Sequence, residues 1–177
     1  MSLELHKVLL VLSIANSALV RAALEVRIES VTKIFGDNET LFEFNFRLVG
    51  RQRLLNGTVI IHVDLDNEYD VSNDVLSLRN GEWESTNVAV NFKTCKYMAL
   101  IYDRYFAVSF KDSNIPKSTE ACPIKKGEYY ARNVEVIADN WVQYTKLGLV
   151  RSILVVKKDN VVYGGIDVVL VLSQKIM

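Results

Sequence analysis

The chain has 177 residues, with 21 Lys+Arg balanced by 21 Asp+Glu, 50% hydrophobic residues, and only two His, two Cys and two Pro. A neutral chain without a Lys/Arg cluster lacks the basic footprint that nucleic-acid binding needs. With so few histidines, the arrangements that usually carry acid–base, triad or metal chemistry have few residues to draw on.

The first segment reads as an address. His6 and Lys7 make a weakly basic start, and residues 8–20 carry no charge. That run is shorter than the roughly 20 apolar residues that span a bilayer. Small residues follow, with Val20-Arg21-Ala22 fitting a cleavage site. Basic start, short apolar core and small residues describe a secretory signal peptide. Residues 1–22 are therefore expected to be removed and residues 23–177 to form a single domain. With Lys7, Arg21 and Glu4 gone, 155 residues remain, with 19 basic against 20 acidic side chains. The apolar end, VVYGGIDVVLVLSQKIM, is interrupted by Gly164, Gly165 and Asp167 and is Val-rich, so it reads as a strand. No lipid-anchor signal is read there. The expectation is a secreted, extracellular protein with no stable membrane insertion.

The rest alternates with a period of two. Leu24, Val26 and Ile28 alternate with charged residues, and Phe42, Phe44, Phe46 and Leu48 alternate with Glu43, Asn45 and Arg47. Asn56-Gly57 is a strong hairpin signal. After it, Val59, Ile61, Val63 and Leu65 read as a strand, and Val88, Val90 and Phe92 as another. One apolar face per strand is the habit of antiparallel sheets. Residues 95–110 break the rhythm: Met98, Ile101, Tyr102 and Tyr105 fall on one helical face. Strand returns at 129–138, 147–157 and 161–173, with a tight turn at Asp159-Asn160. The last two strands are apolar on both faces and should be central. The expected fold is mainly β: an antiparallel β-sandwich or β-cup of about 7–8 strands with one short helix.

Cys95 and Cys122 are the only cysteines. A metal site or catalytic thiol lacks partners nearby, and in an oxidising compartment an even count reads as a disulfide. The bridge would close a 27-residue loop, worth about 3.5 kcal/mol on the chain-entropy model. Asn38-Glu39-Thr40 and Asn56-Gly57-Thr58 match the N-glycosylation acceptor and fall where turns are expected, so Asn38 and Asn56 are candidate glycan sites. His62, Asp64 and Asp66 share a strand face and could meet a metal, but the same run fits ordinary polar alternation; no metal, cofactor or catalytic residue is assigned. No GxSxG, HExxH or phosphate-binding loop is present, and the chain is not read as an enzyme. Its conspicuous asset is aromatic surface. Phe42, Phe44, Phe46, Phe92, Tyr102, Phe106 and Trp141 either fill a core or line a cavity for an apolar ligand.

The segments LNGTVIIHVDL (55–65), CKYMALIY (95–102), ACPIKKGEYYARNVEV (121–136) and KLGLVRSILVV (146–156) resemble an uncharacterised secreted family expanded in flies. That family in turn resembles the ganglioside activator and ML lipid-recognition proteins, which form a β-cup around a lipid cavity, and CheB-like chemosensory proteins. The resemblance implies that Cys95 and Cys122 are a bridging pair. It matches Pro123, Gly127 and Tyr129 to the Cys-Pro segment and Gly148 and Arg151 to a late glycine and basic residue. A further cysteine pair near the start is missing here. Asn140-Trp141 also stands where a proline is common, so Trp141 would cover the opening. The implied function is binding of a small hydrophobic molecule, a lipid or pheromone-like compound, in chemosensation. The alternative is an extracellular interaction module or receptor accessory protein without a small ligand.

Overall fold

The computed structural model describes residues 24–117, 122–139, 141 and 147–174. The expected signal peptide, residues 1–22, lies outside them. The eight strands are β1 (Leu24–Ile34), β2 (Phe42–Val49), β3 (Leu54–Ile61), β4 (Asp70–Arg79), β5 (Glu82–Lys93), β6 (Gly127–Val134), β7 (Gly148–Lys158) and β8 (Val161–Gln174). They form two antiparallel sheets, one of order β1-β8-β7-β4-β5 and one of order β2-β3-β6. Between β5 and β6 a short α-helix, α1 (Thr94–Tyr97), runs into a π-helix (Met98–Phe106). The mainly β, two-layer reading holds. β8 and β7, apolar on both faces, are interior strands of the larger sheet, and Asp159-Asn160 turns between them with both residues at positive φ (52° and 64°).

Two expectations are corrected, and one strand without a sequence signal is added. Asn56-Gly57 is not a turn but the interior of β3, which pairs with β2 on one side and β6 on the other. The β2–β3 chain reversal lies at Gly50–Arg53, where the Arg53 N–H donates to the Gly50 carbonyl at 3.2 Å. Gly57 is required for another reason. A Cβ there would lie 2.0 Å from the Asn45 carbonyl oxygen at φ +149°, so only glycine lets β2 approach. The strand also ends at Ile61, so His62, Asp64 and Asp66 share no strand face. Finally, β4 emerges where no alternation is legible, because its inward face carries Asn73 and Ser77 beside Val71 and Val75. Those polar groups are buried, and Asn73 accepts a hydrogen bond from Ser152 of β7 (2.8 Å).

The layers meet most closely along the side where β1 and β8 face β2. There the Leu41 N–H donates to the Tyr163 carbonyl (2.9 Å) and Lys33 of β1 reaches Glu43 of β2 (2.6 Å). A Cβ on Gly164 would come within 2.0 Å of the Phe42 carbonyl oxygen. At the far end of β2, Arg53 donates to the backbone carbonyls of Ile28 and Glu29, at the β1 bulge between Ile28 and Ser30. The opposite side of the sandwich is filled by the helical segment and residues 107–117.

Candidate functional site: an apolar interior under a helical cover

The inward residues of β2 are Phe42, Phe44, Phe46 and Leu48, a consequence of strict alternation. Phe42, 1% exposed, joins Ile61, Val71, Tyr97, Met98, Tyr102 and Val156 in the principal core. Phe44, Phe92 and Phe106 pack against that core. Phe46 and Trp141 pack instead against a second cluster built on Ile28, Leu55, Ala131 and Leu170. Phe110 and Ile115 touch both clusters, and the Phe106 and Trp141 rings meet edge-on at 5.6 Å. All seven aromatics named from the sequence are thus brought to the interior, divided between two adjoining clusters. Tyr69 and Tyr163 also belong there: Tyr69 makes edge contacts with Phe42 (5.0 Å) and Tyr163 (5.8 Å). Neither follows from sequence pattern, since Tyr69 lies in a loop and Tyr163 in a run without polar alternation.

The cover is held at defined points. The N–H and hydroxyl of fully buried Thr94 both donate to the Tyr69 carbonyl, each at 3.1 Å. Cys95 and Cys122 form the disulfide, closing a loop of 27 residues and tying the helix to the approach to β6. Ile124 continues that approach as a β-bridge to Leu65. Asn114 is docked on the edge of β6, accepting from the Tyr130 N–H (2.5 Å) and donating to the Glu128 carbonyl (3.4 Å). Such a side chain satisfies backbone groups that an edge strand would leave open. Trp141 donates from Nε1 to the Tyr105 carbonyl at 3.2 Å.

The π geometry changes which residues point inward. Tyr97, Met98, Ile101, Tyr102 and Phe106 meet the core, whereas Tyr105, expected on that face, lies under Arg104 (5.3 Å to the ring). The wider turn of an i→i+5 helix moves the face by about one residue over two turns; Ala107 N–H to Tyr102 carbonyl, 2.9 Å, is such a bond. Tyr102 is only 9% exposed, and its hydroxyl has no hydrogen-bond partner among the described residues. Burial pushes its ionisation, and that of Tyr97, far above the ordinary tyrosine range. An unpaired hydroxyl in an apolar interior is a costly feature to keep.

The polar candidates do not converge. His62 Nε2 lies 2.8 Å from Glu43 Oε1, Asp64 accepts from Lys125 Nζ (2.8 Å) and the Lys126 N–H (2.9 Å), and Asp66 accepts from the Glu68 N–H (2.8 Å). The hydrogen bond from Lys125 holds the Asp64 carboxyl below its usual range. Arg151 lies on the outer face of the larger sheet in a bidentate pair with Asp167 (2.5–3.0 Å). Gly148 opens β7 at φ +110°. Asn38 is exposed in the β1–β2 loop.

Fold and interior together define a two-layer antiparallel β-sandwich, tied along one side and covered on the other by a disulfide-anchored helix. Residues 72–150, from β4 to the start of β7, match the model of a family described as a protein of unknown function (DUF1091). The match takes in both cysteines and the Cys-Pro segment and leaves residues 55–65 outside. No curated protein matches the chain. Among the described residues, no helix is long and apolar enough to cross a membrane.

Proposed function

We propose that the protein is an exported binder of a small apolar molecule, a lipid or pheromone-like compound, taken up between the two sheets beneath the helical cover. The observation that carries this reading is the Tyr102 hydroxyl, without a hydrogen-bond partner among the described residues, packed in an apolar cluster and mounted on the cover itself. Binding sites for small apolar molecules combine such a lining with a few polar groups that orient the ligand. Uptake would displace contacts between the cover and the Phe42 and Phe92 side chains. The apolar area removed from water would drive it, at about 25 cal/mol per Å². Resemblance to the ML and ganglioside activator proteins and to CheB-like chemosensory proteins supports the same reading and suggests a chemosensory setting. No catalytic step is included: His62, the only histidine after residue 22, is engaged with Glu43.

The test is titration with a fluorescent long-chain fatty acid, followed by displacement with hydrocarbons and glycolipids. The wild type should bind saturably. Tyr102→Phe should bind polar-headed ligands about tenfold more weakly, the worth of one buried hydrogen bond, while leaving hydrocarbons unaffected. Absence of saturable binding for all three classes would overturn the proposal.

A second reading, an extracellular interaction module or receptor accessory protein with no small ligand, is favoured by one observation. The interior aromatics already contact one another, as Phe42 does Tyr69 and Phe106 does Trp141.

A further inference from the structure

The outer face of the three-stranded sheet has its own order. β3 lies between β2 and β6, so Asn56 pairs across with Arg47 on one side and lies beside Arg132 on the other. One step along, Thr58 stands between Asn45 and Tyr130. Asn56 and Thr58 are two apart on a strand and therefore project from the same face. These six side chains line an open concavity of about 660 Å³. Tyr130 is 39% exposed, and the Arg132 guanidinium lies 4.5 Å from its ring centre, which holds the ring as a flat platform.

The Asn56 amide is oriented across strands. Its Oδ1 accepts the Asn133 N–H at 3.1 Å, and its Nδ2 lies 3.4 Å from Asn133 Oδ1. Asn133 reaches it from a left-handed position, φ 48°, next to the register shift between Leu55 and Gly57. N-linked glycosylation leaves the amide carbonyl in place, so the hydrogen bond from the Asn133 N–H survives it and still orients the amide.

We propose that Asn56 carries an N-linked glycan whose first sugar lies in this concavity against Tyr130, so that the face is occupied by the protein's own carbohydrate. The inference requires export but no apolar ligand, so its failure and that of the proposed binding are separable. In the secretory compartment a lipid-linked oligosaccharide pyrophosphate supplies the sugar. The Nδ2–C1 bond forms as the C1–pyrophosphate bond breaks, Nδ2 gives up one proton, and the lipid pyrophosphate leaves. Sugar rings stack on aromatic faces through their C–H edges, and neighbouring Arg and Asn side chains can donate to their hydroxyls. Asn38, by contrast, stands in an exposed loop, and a sugar there would extend into solvent.

The full chain should be expressed in insect cells, Asn56 occupancy mapped on glycopeptides, and glycan release by a peptide amidase timed on native and denatured protein. Asn56 should be occupied, and its glycan should leave the native protein at least about tenfold more slowly than the denatured one, the upper range for one aromatic contact. Tyr130→Ala and, separately, Arg132→Ala should speed release from the native protein while leaving its thermal transition cooperative. An unmodified Asn56 in the purified protein, equal release from native and denatured protein, or native release unchanged in both variants would overturn the inference.

Discussion

Gly164 of β8 passes so close to Phe42 of β2 that a Cβ on the glycine would sit 2.0 Å from the Phe42 carbonyl oxygen, at a φ of +141°. This is where the two sheets are drawn together, and it places Phe42, the anchor of the principal core, against β8. Gly164→Ala combines a backbone clash with a strained dihedral. It should cost about 2–4 kcal/mol, as misfitted backbone positions do, measured as a lowered urea midpoint with an unchanged slope.

The same side of the sandwich carries an acid-sensitive tie. Glu43 receives Lys33 Nζ at 2.6 Å, with His62 2.8 Å away on its other oxygen. The Lys33 hydrogen bond, with the His62 contact next in strength, lowers the Glu43 carboxyl from 4.5 to about 2. A depressed carboxylate stabilises the folded state fully above its unfolded value and ceases to do so as pH falls through its folded value. Stability should therefore decline between pH 4.5 and about 2. The decline should be shallower in Glu43→Gln, checked by urea midpoints across that window. Glu43 is partly exposed, so salt should reduce the difference.

Closing a 27-residue loop, the Cys95–Cys122 bond fastens the helical cover. The double variant Cys95→Ser, Cys122→Ser should lose about 3.5 kcal/mol. Hydrogen exchange should rise first in residues 94–106, because the cover makes fewer strand-ladder bonds than the sheets. Uniform loss of protection across both sheets would show that the bond stabilises the whole sandwich instead.

Asn114 joins residues 107–117 to the edge of β6 through the Tyr130 N–H and the Glu128 carbonyl. Asn114→Ala should cost about 1–2 kcal/mol and accelerate entry of an apolar probe, measured by stopped-flow fluorescence. A stability loss with unchanged entry would place the gate elsewhere.

How far the sequence discloses this arrangement depends on what stabilises each element. β7 and β8 are readable because their apolar residues occupy both faces, the mark of interior strands. β4 is not, because Asn73 becomes acceptable inside only through the Ser152 hydroxyl, a partner 79 residues away. The two Asn-Gly pairs make the point more sharply. Asn80-Gly81 is a hairpin turn, with positive φ at both residues, while Asn56-Gly57 is mid-strand. The dipeptide permits a turn, but for Asn56-Gly57 the pairing of β3 with two neighbours overrides it. The inward aromatics of β2 follow from alternation alone. The unpaired hydroxyl of Tyr102 has no sequence signal, since it depends on what the rest of the core fails to offer.

Removing that hydroxyl separates packing from binding. Tyr102→Phe should leave stability unchanged or raise it by up to about 1 kcal/mol, because an unpaired buried group is deleted. A destabilised variant would mean that the hydroxyl has a partner in the free protein.

The most direct test of an apolar binding interior is native mass spectrometry of the protein as secreted, after glycan trimming. The account predicts added mass that departs on gentle heating and is recovered in an organic extract, or that appears after incubation with long-chain hydrocarbons, fatty acids or glycolipids. A protein that stays at its bare mass with one disulfide throughout would contradict it and turn attention to a protein partner.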